Sequence, residues 1–277
     1  MLIKCKNSTS FFSMRLLKVF LAVALLHATP SLFAEEGNSI NPDRPGIADG
    51  STVVGAGRFQ IETGMQYEYR QSDSISDRRL FVPTLLRMGI GEKWEARIES
   101  NIYGRKKLSD QANGDTQSEG GQPISIGLKY QFRASDDTQR PSVGVILRLF
   151  PASGSGEFRT QNMTGDIRLA SDWDFAPDWS LNPNIGLAVY EDDQSQLFSA
   201  QLFALTLSYN PAKTLNIFAD IGAQSPEKKN GTTAIIYDAG VAYLINQDTQ
   251  LDFSVGSGAA GTTAPRNFFS FGISKRL

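Results

Sequence analysis

The stretch RFQIETGMQYEYR, residues 58–70, alternates between apolar and polar side chains. Every second residue from Phe59 to Tyr69 is apolar, aromatic or threonine, whereas the intervening set from Arg58 to Arg70 carries charges, amides and one glycine. A period of two is typical of a β-strand whose two faces meet different surroundings. A soluble sheet would produce the same pattern, so the rest of the chain has to decide which solvent each face meets.

The alternation recurs down the chain after residue 57, and no later stretch has a convincing helical period. It predicts about twelve strands of roughly 9–13 residues, the length that crosses a bilayer when a strand is tilted. Short links, such as GEK at 91–93, alternate with longer ones, such as residues 105–122. Short periplasmic turns and longer outer loops are typical of a transmembrane β-barrel.

The aromatic residues support the same fold. Trp94, Trp173 and Trp179 all stand beside predicted short turns, where amphipathic rings form a girdle at the membrane interface. A soluble β-sandwich is the alternative, but its solvent face would be unusually rich in glycine. An open sheet edge in lipid would leave backbone groups unpaired. The sequence therefore predicts an all-β fold, a single closed antiparallel transmembrane β-barrel of about 12 strands, over residues 58–277.

Residues 1–34 have the pattern of a secretory signal peptide, in which basic residues precede the apolar run VFLAVALL at 19–26 and a small residue, Ala34, ends the segment. Its removal takes away the only cysteine, Cys5, and the only histidine, His27. The mature chain then lacks disulfides, zinc sites built on these residues and a catalytic imidazole. We expect no enzyme activity, no metal and no cofactor. The mature net charge is −6, without a basic tract for nucleic acid.

The polar faces of the predicted strands separate by charge, with a mainly basic arc from residue 79 to 148 and a mainly acidic arc from 166 to 252. In a closed barrel the arcs face each other, and a transverse field across a water-filled pore would orient dipolar solutes and set ion preference. The alternative is that these charges pair and close a small lumen, because twelve strands lies between filled and open barrels. The predicted lumen-lining residues are Arg79, Arg87, Glu95, Arg97, Glu99, Lys129, Arg133, Arg148, Asp166, Asp172, Asp174, Asp220, Asp238 and Asp252.

Residues 35–57, ahead of the first strand, show no alternation and carry the motif Asp43, Arg44 and Pro45. We predict a periplasmic N-terminal segment. Either it folds into the barrel mouth as a plug, with Asp43 and Arg44 pairing to lumen charges, or it is a plain leader tied to the rim. The glycine-rich stretch at 151–158 precedes no helix and lacks the G-K-[ST] ending of a phosphate loop, so we interpret it as an outer loop.

The phrase DRPGIADGSTVVGAGRFQIETG, residues 43–64, resembles the start of the outer-membrane transporter family named after the MetA pathway of phenol degradation. The resemblance continues through residues 83–100, 124–132 and 270–277, although Leu277 stands where such barrels often end in phenylalanine. It implies an outer-membrane barrel that passes small compounds, aromatic ones among them. It also implies recognition of the C-terminal strand by the barrel assembly machinery, with outer-membrane lipids and small solutes as the other partners.

Three functions remain open from the residues. The first and favoured one is a channel for passive passage of small molecules through the outer membrane. The second is a closed-lumen barrel with a structural or surface-binding role, in which loop 105–122 is the working part. The third is a membrane enzyme using Glu95 and Glu99, for which the sequence offers no nucleophile.

Overall fold

The computed structural model describes residues 39–72, 75–110, 112–134 and 140–277. The predicted signal peptide, residues 1–34, lies outside the described residues. The part of the chain that is described contains thirteen strands and one 3₁₀ turn, Gly156–Phe158. The strands are β1 Phe59–Ser72, β2 Ile75–Gly89, β3 Trp94–Asp110, β4 Gly114–Gly120, β5 Ser125–Arg133, β6 Ser142–Phe150, β7 Thr164–Ala176, β8 Trp179–Glu191, β9 Leu197–Ala212, β10 Leu215–Ser225, β11 Ala234–Asn246, β12 Thr249–Ala260 and β13 Asn267–Arg276.

Twelve of these strands form a closed antiparallel ring. Each pairs with its neighbour along the chain, and β1 closes the ring against β13 in a register that runs from Gln60 opposite Arg276 to Tyr69 opposite Asn267. Among the described residues, closure leaves no unpaired edge in the twelve-strand ring, which is the condition for a sheet to stand in hydrocarbon. The predicted single closed barrel of about twelve strands is confirmed.

The strand that lies outside the ring, β4, corrects one expectation. The residues predicted as the long loop 105–122 form a hairpin, because β3 continues to Asp110 and β4 pairs with its outer half from Gly104 opposite Gly120 to Asp110 opposite Gly114. This part of β3 reads RKKLSD, and Leu108 is its single apolar residue, so neither face of it is apolar. A strand that stands beyond the membrane needs no apolar face, so alternation could not reveal it.

The two faces of the wall are inverted relative to a soluble protein. On the outer face, Ile126 is 59% and Leu187 is 62% exposed, whereas Glu62 and Lys129 on the inner face are 0% exposed. Apolar residues outside and charges inside are the pattern of a transmembrane barrel. In the opening stretch, Met65 and its alternate neighbours therefore face lipid. No helix among the described residues is long and apolar enough to cross a lipid bilayer.

Aromatic pairs mark the short-turn end of the outer face. The rings of Trp94 and Tyr130 have centroids 4.5 Å apart, and those of Trp179 and Tyr209 lie 4.8 Å apart. Each pair joins residues directly opposite on adjacent strands. Cross-strand aromatic pairs stabilise a sheet, and their position is that of an interfacial girdle.

Candidate functional site: the lumen and its N-terminal segment

Residues 39–57 run through the barrel lumen without regular secondary structure. Within the described part of the chain, this segment hydrogen-bonds with side chains of at least ten of the twelve barrel strands. A buried irregular backbone has to find partners for its N–H groups. The wall supplies them one after another: Arg44 N–H donates to Glu62 at 3.0 Å, Ile47 to Asp220 at 3.1 Å, Asp49 to Asn184 at 2.8 Å, Ser51 to Asp172 at 2.8 Å and Val54 to Glu95 at 3.0 Å.

Asp43 sits in a cage of cations from the basic arc. Its carboxylate lies 2.5 Å from Arg97, 3.2 Å from Lys129 and 3.6 Å from Arg87. It also accepts the N–H of Gly50 at 2.9 Å. Burying an ion costs several kcal/mol unless it is paired and hydrogen-bonded. Asp43 thus supplies the counter-charge that three buried cations on β2, β3 and β5 require.

Arg44, the next residue, meets the acidic arc instead. Its guanidinium lies 3.0 Å from Asp252 on β12 and donates to Ser270 on β13 at 2.8 Å. Gly64 and Gly272 stand opposite each other on β1 and β13, and a Cβ at Gly272 would overlap the Arg44 guanidinium. The missing side chains create the space that Arg44 occupies. The dipeptide Asp43–Arg44 therefore joins the two oppositely charged arcs.

Asp49 forms a second bridge, at 3.3 Å from Arg97 on β3 in the basic arc and 3.0 Å from Arg168 on β7 in the acidic arc. Wall residues complete the network, since Arg87 pairs with Glu95 at 2.8 Å and with Glu62 at 2.9 Å. All of these charged groups are mostly buried. We call this network of ion pairs, which Asp43, Arg44 and Asp49 form with their charged partners on the barrel wall, the charged girdle.

The other predicted lumen residues occupy several environments. Arg148 pairs with Glu99 and Asp166, both at 2.9 Å. Arg79 pairs with Asp77 at 2.6 Å, and Asp172 accepts hydrogen bonds from Ser51. Asp220 and Asp238 stand opposite each other on β10 and β11. Arg133 and Asp174 are exposed towards the short-turn end, where Arg133 donates to the carbonyl of Pro141 at 2.8 Å.

Sequence reasoning omitted several residues that contact the segment. Glu62 belongs to the polar face of β1, yet it stands before the basic arc, and grouping the charges by arc left it out. Asp49 and Ser51 lie in a stretch without periodicity, where no face can be assigned. Asn184 is uncharged, although its amide donates to the Asp49 carbonyl at 2.9 Å and its oxygen accepts the Asp49 N–H.

Among the cavities bordered by described residues, two are lined by all three of Arg44, Pro45 and Gly46. The cavity at the long-loop end, which we call the chamber, has a volume of about 510 Å³. The cavity at the short-turn end has a volume of about 380 Å³ and is bordered by Asp174 and Lys213. The N-terminal segment thus stands between two open spaces.

A loop wall closes one side of the chamber. The β12–β13 loop lines it through Thr263, Ala264 and Pro265, and Glu227 in the β10–β11 loop accepts the N–H groups of Thr262 at 2.7 Å and Thr263 at 2.8 Å. Burial opposes ionisation of Glu227, but these bonds and those from the two threonine hydroxyls outweigh it and lower its pKa to about 2. Glu227 therefore ties the two loops together as a carboxylate.

Comparison with solved structures places this architecture among outer-membrane barrels. The COG4313 outer membrane channel from Pseudomonas putida F1 aligns with a TM-score of 0.63 and 10% identity, covering 86% of this chain and 100% of that one. The translocator domain of the autotransporter NalP from Neisseria meningitidis aligns with a TM-score of 0.51 and 11% identity, covering 80% and 89%. At such low identity the likeness shows the fold alone.

No curated protein matches the chain. The sequence profile of the family described as the "MetA-pathway of phenol degradation" matches residues 42–277, which is most of the chain. This match begins at the residue before Asp43 and runs to the last residue, so it includes the lumen segment together with the barrel. The protein belongs to this family, as the resemblance predicted.

Proposed function

We propose that this protein is an outer-membrane channel through which small molecules, apolar or aromatic ones among them, pass passively. The observation that carries the proposal is the chamber of about 510 Å³ inside the barrel. A cavity of this size takes a small ligand, and such sites combine apolar walls with a few polar groups. Leu202, Ile236 and Phe268 provide the apolar wall. The family description and the outer membrane channel of similar fold support the same function.

In this proposal, the two charged arcs hold the N-terminal segment as well as lining the lumen. The girdle crosses the barrel between the two cavities, so the path of a solute leads past Asp43 and Arg44. Passage then depends on how firmly these two residues are held. Because each is bonded to a different arc, neutralising both releases the segment from both sides of the lumen at once.

A closed-lumen barrel with a structural or surface-binding role is the second candidate. The observation that favours it is the girdle itself, in which Asp43 has three cationic partners and Arg44 is paired with Asp252. In a barrel closed in this way, the protruding β3–β4 hairpin would be the working part.

Single-channel recording on the full chain, purified from outer membranes and inserted in planar bilayers, tests the proposal. We expect openings in the wild type and a larger conductance in the Asp43→Asn/Arg44→Gln variant. The charge-matched control is Asp193→Asn/Lys229→Gln, two exposed loop residues, which should leave conductance unchanged. Folded protein that is silent in all three forms would reject the channel and favour the closed barrel.

A further inference from the structure

Asp238 in the chamber wall stands beside a second buried carboxyl group, Asp220, and among the described residues no cation forms an ion pair with either of them. Asp238 lines the chamber, is 5% exposed and stands opposite Asp220 across β10 and β11. In the described structure, the Oδ1 atom of each carboxyl group has no hydrogen-bond partner. One bond from the segment reaches the pair, from the N–H of Ile47 to Oδ2 of Asp220 at 3.1 Å.

The arginines that border the same chamber are all paired with other carboxylates. Arg44 lies 3.0 Å from Asp252, Arg70 lies 2.6 Å from Glu68, and Arg168 lies 3.0 Å from Asp49. The cations of the wall are therefore already neutralised. A buried carboxyl oxygen without a donor costs free energy, and that cost is offset when a ligand supplies the donor.

Apolar residues lie beside Asp238 in the chamber, together with the hydroxyl-bearing Ser254 on β12. Ile236 precedes it by two positions on the same face of β11, Ile47 lies beside Gly222, and the ring of Phe268 on β13 lies over Gly256, next to Asp238. A ligand that suits this site has an apolar body for these walls and one positively charged donor for the carboxyl pair. A bare Ca²⁺ or Mg²⁺ ion would need six or more oxygen ligands, and among the described residues no group of three or more carboxylates is placed to hold a metal ion.

We propose that the chamber binds small molecules with an apolar body and a protonated amine, whose ammonium group donates to Asp238. The inference rests on the proposed function in one respect, that the chamber is a solute site. It deepens that function by naming a substrate class: organic ammonium compounds are preferred over alcohols of the same shape, and over carboxylates most of all.

Equilibrium binding tests this preference without requiring passage. The full chain in detergent micelles is titrated with 4-fluorobenzylamine, 4-fluorobenzyl alcohol and 4-fluorobenzoate, and fluorine NMR line widths are compared with empty micelles. We expect the amine to bind at least tenfold more tightly than the alcohol, and the benzoate to bind least. In Asp220→Asn/Asp238→Asn the affinity for the amine should fall at least tenfold, whereas the charge-matched control Asp115→Asn/Asp193→Asn, at exposed positions on β4 and in the β8–β9 loop, should keep it.

Equal affinities of the wild type for the three compounds would overturn the inference, and this comparison needs no variant. Unchanged amine binding in Asp220→Asn/Asp238→Asn would overturn it as well. The outcome is separable from that of the conductance experiment. A silent barrel that prefers the amine would reject the channel and keep the site, whereas a conducting barrel without this preference would keep the channel and reject the site.

Discussion

The charged girdle and the chamber bury the same chemical group in two opposite ways. Asp43 in the girdle has three cations within 3.6 Å, whereas Asp238 in the chamber stands beside another carboxyl group and has an unpartnered oxygen. A fully paired carboxylate holds structure together, because removing a partner exposes an uncompensated charge. A buried carboxyl group without a partner destabilises the folded protein and favours the binding of a ligand that supplies a hydrogen-bond donor. The charged girdle therefore holds the N-terminal segment in place, whereas the chamber has a carboxyl group that is left for a ligand.

Removing a girdle cation should have the largest effect. Arg97 contacts Asp43 at 2.5 Å, Asp49 at 3.3 Å and Glu95 at 3.4 Å. Arg97→Met leaves these carboxylates short of a partner, and we expect a loss of about 3–5 kcal/mol in the free energy of unfolding. The urea midpoint of the folded band on unheated gels measures it.

The matched control for Arg97→Met is Arg133→Met, the same substitution at an exposed arginine that donates to the Pro141 carbonyl. Its effect should stay within about 0.5 kcal/mol. Equal losses in the two variants would mean that the girdle contributes no special stability, and the contrast with the chamber would disappear.

The same substitution in the two regions should act in opposite directions. Asp43→Asn removes the charge that balances three cations, and we expect it to destabilise the barrel by about 1–3 kcal/mol. Asp238→Asn removes an uncompensated buried acid, and we expect it to leave stability unchanged or raise it by about 1–2 kcal/mol. Urea midpoints of the two variants, measured side by side, check the signs. A loss at Asp238 as large as at Asp43 would contradict the comparison.

The sequence could predict the barrel because lipid outside and charge inside impose a period of two on every spanning strand. The same reasoning failed where that constraint ends. Residues 105–110 are strand without an apolar face, since they stand beyond the membrane. Residues 39–57 have no period at all, so the sequence could not distinguish a plug in the lumen from a leader at the rim. The distinction depends on contacts with wall residues that are brought together only by the strand register and the closure of the barrel. The pairing of Arg44 with Asp252 spans 208 residues of chain.

The lining role of the fourteen charged residues stays a prediction, but the structure explains why charge alone could not distinguish them. The alternation predicts that Arg97 and Arg133, on the adjacent strands β3 and β5, both face the lumen. One is 1% exposed within the girdle and the other lies exposed beyond a register shift near the end of β5. Depth along the barrel axis decides this difference, and a strand pattern contains no information about depth.

A smaller effect should follow from filling the space that the paired glycines leave for Arg44. Gly272→Ala would place a methyl group where the Arg44 guanidinium lies and displace it from Asp252. We expect a loss of about 1 kcal/mol, the lower end of overpacking costs, together with increased conductance. Gly121→Ala is the control, because its Cβ would meet an ordinary contact at 3.6 Å. Unchanged stability and conductance in Gly272→Ala would show that Arg44 does not need this space.

The smallest effect concerns the loop wall of the chamber, where Glu227 ties residues 262–263 to the β10–β11 loop. Its pKa is lowered to about 2, so the carboxylate is favoured in the folded protein. The contribution of Glu227 to loop stability is complete above the ordinary glutamate pKa of about 4.3 and is lost as the pH falls from there through about 2.

We therefore expect amide hydrogen exchange in the peptide covering residues 261–266, normalised to the intrinsic rate, to lose protection several-fold between pH 6 and pH 3. Glu227→Gln should show low protection at both pH values, because the amide cannot replace a carboxylate that accepts from two N–H groups and three hydroxyls. Glu92→Gln, an exposed glutamate in a short turn, should follow the wild type. A pH-independent loop would mean that strand pairing alone holds this wall. The chamber would then keep its shape without the carboxylate, and its open volume would owe nothing to Glu227.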